Sequence, residues 1–263
     1  MEIISFKCSG PSGDLIVWLA SIKHICDQRG AKADIFMWLD RPAFYYEGAV
    51  HPYGNVMFNQ YAFDMMKPLV EAHPYVNSFQ VWTGQQCIVD LDIHRQRQIG
   101  MPYGSIHRWL GYCYPDMMAD YTQPWIWTYT PHPVTTGKVI VNRTSRYTNE
   151  WINYFFLKEF RHKLVFAGLP DEHKRFQDAW GFELELLVVK DFLELARAIG
   201  SARFFLGNQS MCYHIAEAMK VPRILESCAF APNCIPFGAN AYDFRFQEAL
   251  QFFFHKFVND YSL

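Results

Sequence analysis

The sequence predicts an α/β protein made of two halves, each built on a parallel sheet. Over residues 138–225, five short apolar segments alternate with four segments of helical periodicity. The apolar segments are continuous rather than alternating, which is typical of parallel strands buried on both faces. The chain also opens with a strand, a glycine-rich turn, a helix and a second strand, an order typical of a βαβ unit.

The first half starts with an apolar strand over residues 2–7. A helix follows, because the apolar residues between Leu15 and Ile25 recur on one face. The rest of this half has a weaker periodicity, with many Pro, Gly, Tyr and Trp residues. Its predicted elements are a strand over 33–39, an extended loop over 40–60, a helix over 62–72, strands over 76–82 and 87–93, and irregular structure over 100–135.

The second half has the clearer pattern, and we place the domain boundary before it, giving domains of residues 1–135 and 136–263. A final helix over 244–259 either completes the second domain or packs back on the first. The predicted strands are 138–142, 163–167, 186–189, 202–206 and 223–225, and the predicted helices are 149–159, 171–180, 192–200 and 211–219.

Composition excludes several classes of protein. Hydrophobic residues make up 51% of the chain and charged residues 19%, which excludes a disordered chain. The net charge of −2 does not predict a nucleic-acid-binding protein. The sequence contains no apolar run of ~18 residues, so we expect no membrane-spanning helix. Seven cysteines without metal-ligand spacing, and a start without signal-peptide features, lead us to expect free thiols and a cytoplasmic protein.

Ligands of open parallel sheets bind beyond the carboxyl ends of the strands, so the loops there hold the candidate site residues. Gly13 and Asp14 follow the first strand. The glycine allows a ligand to approach the backbone, and Asp14 is a candidate general base. The alternative is that Asp14 only caps the helix that it begins.

Two loops of the second half have the chemistry of a phosphate site. Arg143, Ser145 and Arg146 follow the first strand there, and cations and hydroxyls at such a loop suit phosphate oxygens. A second loop precedes a helix whose N-terminus offers free N–H groups. The alternatives are a solvated turn for the first loop, and an N-cap serine with a packed histidine for the second. The second loop contains Gly207, Asn208, Gln209, Ser210 and His214.

Two further motifs contain acids. Glu172 begins a helix after Gly168, where it either contacts a nucleoside or only complements the helix dipole. Asp90, Asp92 and His94 alternate, which would place them on one face of a strand. These three residues would contact an acceptor or form a polar strand end. They could also bind a metal, but no further residue with metal-ligand spacing accompanies them.

Three stretches of the second half resemble the donor-binding domain of GT-B glycosyltransferases. They are most similar to glycosyltransferase family 9, the ADP-heptose:lipopolysaccharide heptosyltransferase-like enzymes. Gln209 stands where that family usually has Asp, and Met211 where it has Gly, so we assign no particular donor sugar. The stretches are KVIVNRTSRY, KLVFAGLPDEHKRF and DFLELARAIGSARFFLGNQSMCYHIAEAMKVPRILE.

The resemblance implies two Rossmann-like domains with an interdomain cleft, the first for the acceptor and the second for a nucleotide-diphosphate sugar. It implies a metal-independent, inverting glycosyltransferase without a cofactor, in which Asp14 deprotonates the acceptor hydroxyl. Gly13, Asp92 and His94 would lie on the acceptor side. The donor would contact Arg143, Ser145, Arg146, Glu172, Gly207, Asn208, Gln209, Ser210 and His214.

Two alternatives stay open at this point. A small GT-B enzyme could glycosylate a hydroxymethylated pyrimidine in DNA, since His94, Arg95, Arg97, His107 and Arg108 lie among aromatic residues. The chain could instead be a catalytically inactive nucleotide-binding module. An NAD-dependent enzyme is disfavoured because GxGxxG is absent.

Overall fold

The computed structural model describes residues 1–43 and 54–263. The chain divides into two compact units. Unit 1 comprises Met1–Ile126 with Lys190–Leu193, and unit 2 comprises Trp127–Val189 with Glu194–Leu263. The domain boundary that we predicted at residue 135 lies further along the chain than the observed boundary after Ile126. Residues 44–53 of the predicted loop over 40–60 lie outside the described residues.

Unit 1 is built on a parallel sheet with the strand order β3-β2-β1-β4. In this order β2 and β3 follow on one side of β1, and β4 lies on the other side of β1. The point between β1 and β4, where the direction changes, is a topological switch point. The strands are β1 (Glu2–Cys8), β2 (Ala31–Met37), β3 (Val76–Val81) and β4 (Val89–Asp90).

The helices of unit 1 confirm the two long predicted elements. The first ends at Gly30, which has φ 60°, a left-handed conformation that glycine adopts without strain. Its Trp18 is fully buried in the core. The helices are α1 (Ser12–Arg29), α2 (Gln60–Glu71), α3 (Ile93–Gln96) and α4 (Trp109–Cys113), with 3₁₀ turns at Met101–Tyr103, Ile106–Arg108 and Pro115–Met117.

Unit 2 is built on a larger parallel sheet with the order β10-β9-β8-β5-β6-β7. Its switch point lies between β5 and β8, which pair directly. The strands are β5 (Val139–Asn142), β6 (Leu164–Phe166), β7 (Glu185–Leu186), β8 (Phe204–Asn208), β9 (Arg223–Glu226) and β10 (Ala241–Phe244). We did not predict β10, whose sequence AYDF lacks a continuous apolar run.

The helices of unit 2 are α5 (Pro170–Trp180), α6 (Phe192–Ser201), α7 (Met211–Met219) and α8 (Gln247–Asp260), with a 3₁₀ helix at Phe155–Lys163. Of these, α6 begins in the short segment that clusters with unit 1. Helix α8 packs on the core of unit 2, where the rings of Phe254 and Phe257 contact Phe204 with centroid distances of 5.5 and 5.3 Å.

Two predicted elements are wrong. No α-helix covers 149–159, because tertiary contacts occupy both groups of its first intrahelical hydrogen bond, with Arg143 Nη2 donating to Asn149 O and Asn153 N donating to Gln247. Asn149 N donates to Glu226 at 2.6 Å, and Asn153 N donates to Gln247 at 2.7 Å. The strand predicted over 87–93 is limited to β4, because Asp92 N turns back to Asp90 Oδ1 at 3.0 Å and a short helix follows. The predicted alternation of Asp90, Asp92 and His94 on one strand face is therefore wrong.

Candidate functional site

The candidate donor residues lie at the carboxyl edge of the unit 2 sheet, around its switch point. Asn142 ends β5 and Asn208 ends β8, and these two strands are neighbours. Gly207 has no room for a side chain, since a Cβ atom there would lie 2.6 Å from Asn142 O. The close packing of β8 on β5 therefore depends on this glycine, and it brings the loops after both strands together.

Arg143 forms an ion pair with the buried Glu226 at this edge. Its Nε donates to Glu226 Oε2 at 2.9 Å, and its Nη2 donates to Oε1 at 3.2 Å. Glu226 is fully buried at the end of β9 and also accepts from Tyr154 Oη at 2.8 Å. The guanidinium of Arg143 lies 5.0 Å from the centre of the Tyr154 ring. The pair joins the loop after β5 to the end of β9.

Asn208 fixes the same loop from its other side. Its Oδ1 accepts from Thr144 N at 2.9 Å, and its Nδ2 donates to Arg146 O at 2.5 Å. Asn208 is fully buried, whereas Ser145 is exposed and Arg146 is half-buried. These hydrogen bonds hold the backbone of the loop while the side chain of Ser145 stays exposed.

Ser210 caps helix α7. Its Oγ accepts from Tyr213 N at 3.1 Å and donates to Asn142 Oδ1 at 2.6 Å, while Asn142 donates to Ala167 O at 2.6 Å. This chain of hydrogen bonds ties the start of α7 to the ends of β5 and β6. The helix begins at the carboxyl edge, where its first-turn N–H groups and dipole favour an anion.

Gln209 and His214 are buried beside this turn. The side chain of Gln209 accepts from Cys228 N at 2.8 Å and donates to Ala231 O at 2.8 Å, so it holds the loop after β9. His214 Nε2 lies 3.8 Å from Cys234 Sγ. Both residues pack within unit 2 rather than projecting outward. For His214 this agrees with the alternative of a packed histidine, whereas the inward packing of Gln209 was not predicted.

Glu172 lies in the first turn of α5, next to the same edge. Its Oε2 accepts from Leu169 N at 3.0 Å. Burial raises the pKa of this carboxyl above its usual value, while the hydrogen bond and the charge of Arg146 oppose the shift. A Cβ atom on Gly168 would lie 3.0 Å from Oε2, so that glycine leaves room for the carboxylate. Glu172 is therefore held in the first turn of α5 by the backbone of Leu169.

The candidate base, Asp14, lies at the carboxyl edge of unit 1. It does not cap α1, whose N-cap is Pro11, so the capping interpretation is wrong. The carboxylate instead forms an ion pair in which Arg95 Nη2 donates to Asp14 Oδ2 at 2.7 Å. Gly13 precedes Asp14 in the first turn of the helix. The two partners follow β1 and β4, the strands on either side of the switch point.

Asp92 and His94 lie beneath this ion pair. Asp92 is 3% exposed and accepts from Ser9 Oγ at 2.6 Å and from Arg95 Nη1 at 3.1 Å. His94 is 2% exposed, and its Nε2 lies 3.0 Å from Arg95 Nη1. Although strand alternation did not bring them together, the turn at Asp90 and helix α3 place both around Arg95.

Sequence reasoning missed three charged residues of these edges. Arg41 donates to Ser9 Oγ at 2.7 Å, and its guanidinium lies 4.7 Å from the centre of the Trp38 ring. Arg95 belongs to a motif that the sequence analysis singled out, but the strand assignment concealed its role. Glu226 gave a signal that we did not use, an acid directly after an apolar strand. Nothing in the sequence distinguished Arg41.

Within the described ranges, 1–43 and 54–263, no group of three His, Cys, Asp or Glu side chains could hold a metal ion. No helix in the same ranges is long and apolar enough to cross a membrane.

Solved structures define the class of this fold. The chain is similar to E. coli heptosyltransferase WaaC, with a TM-score of 0.60 and 10% identity over 97% of this chain and 99% of that one. It is similar to a family 9 glycosyltransferase from Veillonella parvula, with a TM-score of 0.58 and 10% identity over 98% and 89%. It also matches the iron-containing dodecameric glycosyltransferase TibC from E. coli, with a TM-score of 0.58 and 15% identity over 94% and 63%.

The protein has the GT-B fold of glycosyltransferases. Within that class its fold is of the heptosyltransferase-like kind found in glycosyltransferase family 9. The resemblance read from the three sequence stretches is thus confirmed for the fold. No protein-family model matches the sequence, and no curated protein matches it.

Proposed function

We propose that the protein transfers a sugar from a nucleotide-diphosphate sugar to a hydroxyl-bearing acceptor. The observation that carries this proposal is the unit 2 switch point, where helix α7 begins and where Asn208, at the end of β8, is hydrogen-bonded to the loop that contains Arg146. E. coli WaaC, which shares the fold, was solved with ADP-2-deoxy-2-fluoro heptose and with ADP. We propose the same ligand class here, a nucleoside diphosphate carrying a sugar, and leave the sugar and base unassigned.

The donor diphosphate binds the first turn of α7, next to Ser145 and Arg146. Breaking the glycosidic bond builds negative charge on the diphosphate, and fixed N–H dipoles and a cation stabilise that charge without reorganising. Glu172 accepts hydrogen bonds from hydroxyl groups of the nucleoside. We assign an indirect role to the other predicted donor residues, which hold these groups in place: Arg143, Gly207, Asn208, Gln209, Ser210 and His214.

Asp14 acts as the general base on the acceptor. Its carboxylate removes the proton of the attacking hydroxyl while the anomeric carbon exchanges the diphosphate oxygen for the acceptor oxygen. A single displacement of this kind inverts the anomeric configuration and needs no metal to carry the charge. The supporting observation is that the Asp14 side chain retains 19% exposure although it is paired with Arg95.

A nucleotide-binding module without transfer activity is the second candidate. It is favoured by the internal hydrogen bonds of Asn208 and Gln209 and by the ion pair of Arg143, which occupy side chains that the resemblance assigned to the donor. The DNA alternative has less support, because His94 and His107 of its predicted surface are buried.

The first experiment measures donor binding by thermal shift with ADP, UDP, GDP and, for contrast, CMP. A ligand at about 100 times its Kd stabilises the folded protein by about 2.7 kcal/mol. We expect one diphosphate to raise the Tm of the wild type, and Arg146→Gln to reduce that shift. Arg203→Gln, which removes an exposed charge from the same unit, is the matched control. No shift with any diphosphate would contradict both candidates.

The second experiment separates the enzyme from the module by a transfer assay with the donor so identified. Removal of a general base lowers kcat about 10²–10⁴-fold, so Asp14→Asn should lose activity while keeping the ligand-induced Tm shift. Asp27→Asn on the same helix is the control, since its carboxylate is exposed. A wild type that binds the nucleotide but transfers no sugar to any acceptor, glycan or DNA, would favour the module.

A further inference from the structure

We propose that Arg95 is the positioning residue for Asp14 and that its guanidinium fixes the orientation in which the carboxylate meets the acceptor. This inference rests on the proposed function, in which Asp14 is the base. The primary contact is the donation from Arg95 Nη2 to Asp14 Oδ2 at 2.7 Å. With Oδ2 held, the lone pairs of Oδ1 are the ones directed to a substrate proton.

Three acceptors hold Arg95 itself. Besides Asp14, its Nη1 donates to Asp92 Oδ1 at 3.1 Å and lies 3.0 Å from His94 Nε2. His94 Nδ1 lies 2.9 Å from Leu91 O, a carbonyl that can only accept. The imidazole therefore carries its proton on Nδ1 and accepts from Arg95 through Nε2. A planar guanidinium bound on both of its terminal nitrogens has little freedom to rotate.

Two further side chains hold Asp92 beneath Arg95. Ser9 Oγ donates to Asp92 Oδ2 at 2.6 Å, and Arg41 Nη1 lies 3.6 Å from the same oxygen. The Asp92 side chain is 4% exposed, whereas those of Asp14 and Arg95 are 19% and 26% exposed. Asp92 is thus the buried support of the cluster, and Asp14 is the carboxylate that a substrate can reach.

The surroundings limit the movement of the Arg95–Asp14 pair. A Cβ atom on Gly10 would lie 3.1 Å from both Arg95 Nη2 and Asp14 Cβ, so the backbone encloses the pair on that side. His94 packs between Trp18 and Trp109, with ring centroids at 5.1 and 5.7 Å. Burial lowers the pKa of His94, and the charge of Arg95 lowers it further, which keeps the imidazole a neutral acceptor.

In the proposed chemical step Arg95 neither gives nor takes a proton. The acceptor hydroxyl gives its proton to Asp14 while its oxygen forms a bond to the anomeric carbon. The bond from that carbon to the diphosphate breaks, and its electron pair leaves on the diphosphate oxygen. Arg95 keeps Asp14 aligned throughout, and a misplacement of about 1 Å at a reacting group can lower the rate about 10²-fold.

The kinetic test compares Arg95→Gln, Arg95→Lys and, as a control, Arg97→Gln, which removes an exposed charge two residues away. We expect Arg95→Gln to lower kcat about 10²-fold with little change in either KM. Arg95→Lys should recover part of the loss, and Arg97→Gln should behave like the wild type. The double variant Asp14→Asn/Arg95→Gln should be no slower than Asp14→Asn, because Arg95 acts through Asp14.

Two kinetic results would overturn the inference. Additive losses in the double variant would show that Arg95 acts independently of Asp14. A raised acceptor KM with an unchanged kcat in Arg95→Gln would make Arg95 a binding residue. Each would leave the proposed function intact, because transfer by the wild type is its separate test.

A crystallographic test needs no activity. In Arg95→Gln we expect the Asp14 carboxylate to leave its wild-type position or to occupy more than one rotamer, while Arg97→Gln keeps a single rotamer. An unchanged Asp14 in Arg95→Gln would contradict the positioning role even if the wild type proved inactive in every assay.

Discussion

The two units place charged residues at equivalent points of their sheets but use them differently. At the unit 2 switch point, Asn208 and Glu226 are fully buried, and the carboxylate of Glu226 is held by Arg143, so that they support a helix N-terminus. At the unit 1 switch point, the Asp14–Arg95 pair stays partly exposed above a buried Asp92. The first arrangement suits the binding of a fixed charge, and the second suits proton transfer at a reachable carboxylate.

The largest expected effect tests the rigidity of the unit 2 edge. Glu226→Gln removes the charge that Arg143 faces and weakens the contacts of Asn149 N and Tyr154 Oη. Because breaking a buried ion pair leaves the partner uncompensated, we expect the free energy of unfolding to fall by about 3–5 kcal/mol. Urea denaturation measures it, with the exposed Glu150→Gln as the control. A loss as small as that of the control would mean that the pair does not hold this edge.

An intermediate effect concerns the base of the unit 1 cluster. His94→Gln removes a buried ring that bonds Leu91 O, and we expect a loss of about 1–3 kcal/mol at pH 7.5. The pKa of His94 is lowered in the folded protein, first by burial. Its contribution to stability is therefore complete above pH 6.5 and is lost as the pH falls through the folded pKa.

The difference in unfolding free energy between the wild type and His94→Gln should accordingly shrink from pH 7.5 to pH 5. Urea denaturation at the two values checks this, with the exposed His162→Gln as the control. A difference that is constant, or that grows in acid, would show that His94 is not held neutral.

The smallest effect has the opposite sign and belongs to unit 2. Burial raises the pKa of Glu172, so the folded protein binds this proton more tightly than the unfolded chain does. That contribution is present in acid and is lost as the pH rises from about 4.5 through the raised pKa. Glu172→Gln should therefore gain stability relative to the wild type between pH 4 and pH 7, measured by Tm against pH. The exposed Glu159→Gln should show no such trend.

The sheet of unit 2 was predictable because its central strands β5, β6, β8 and β9 are buried along their whole length, which requires short and largely apolar segments. Helix α7 was predicted over its exact residues, since Ser210 is a strong N-cap and a helical pattern follows it. The predicted helix over 149–159 was wrong because side chains far along the chain determine the backbone conformation there. Glu226 accepts from Asn149 N and Gln247 accepts from Asn153 N, and neither partner can be related to that segment from spacing alone.

The sequence by itself placed the candidate site residues in the loops after the strands, because apolar strand ends and capping residues are local signals. It placed Asp14, Arg143, Arg146 and Glu172 at carboxyl ends of strands, which the structure confirms as positions. Only the tertiary structure determined which of these charged side chains form ion pairs within the protein. Burial and ion pairing depend on partners far along the chain, as Arg143 with Glu226 and Asp14 with Arg95 illustrate, and no local pattern encodes those distances.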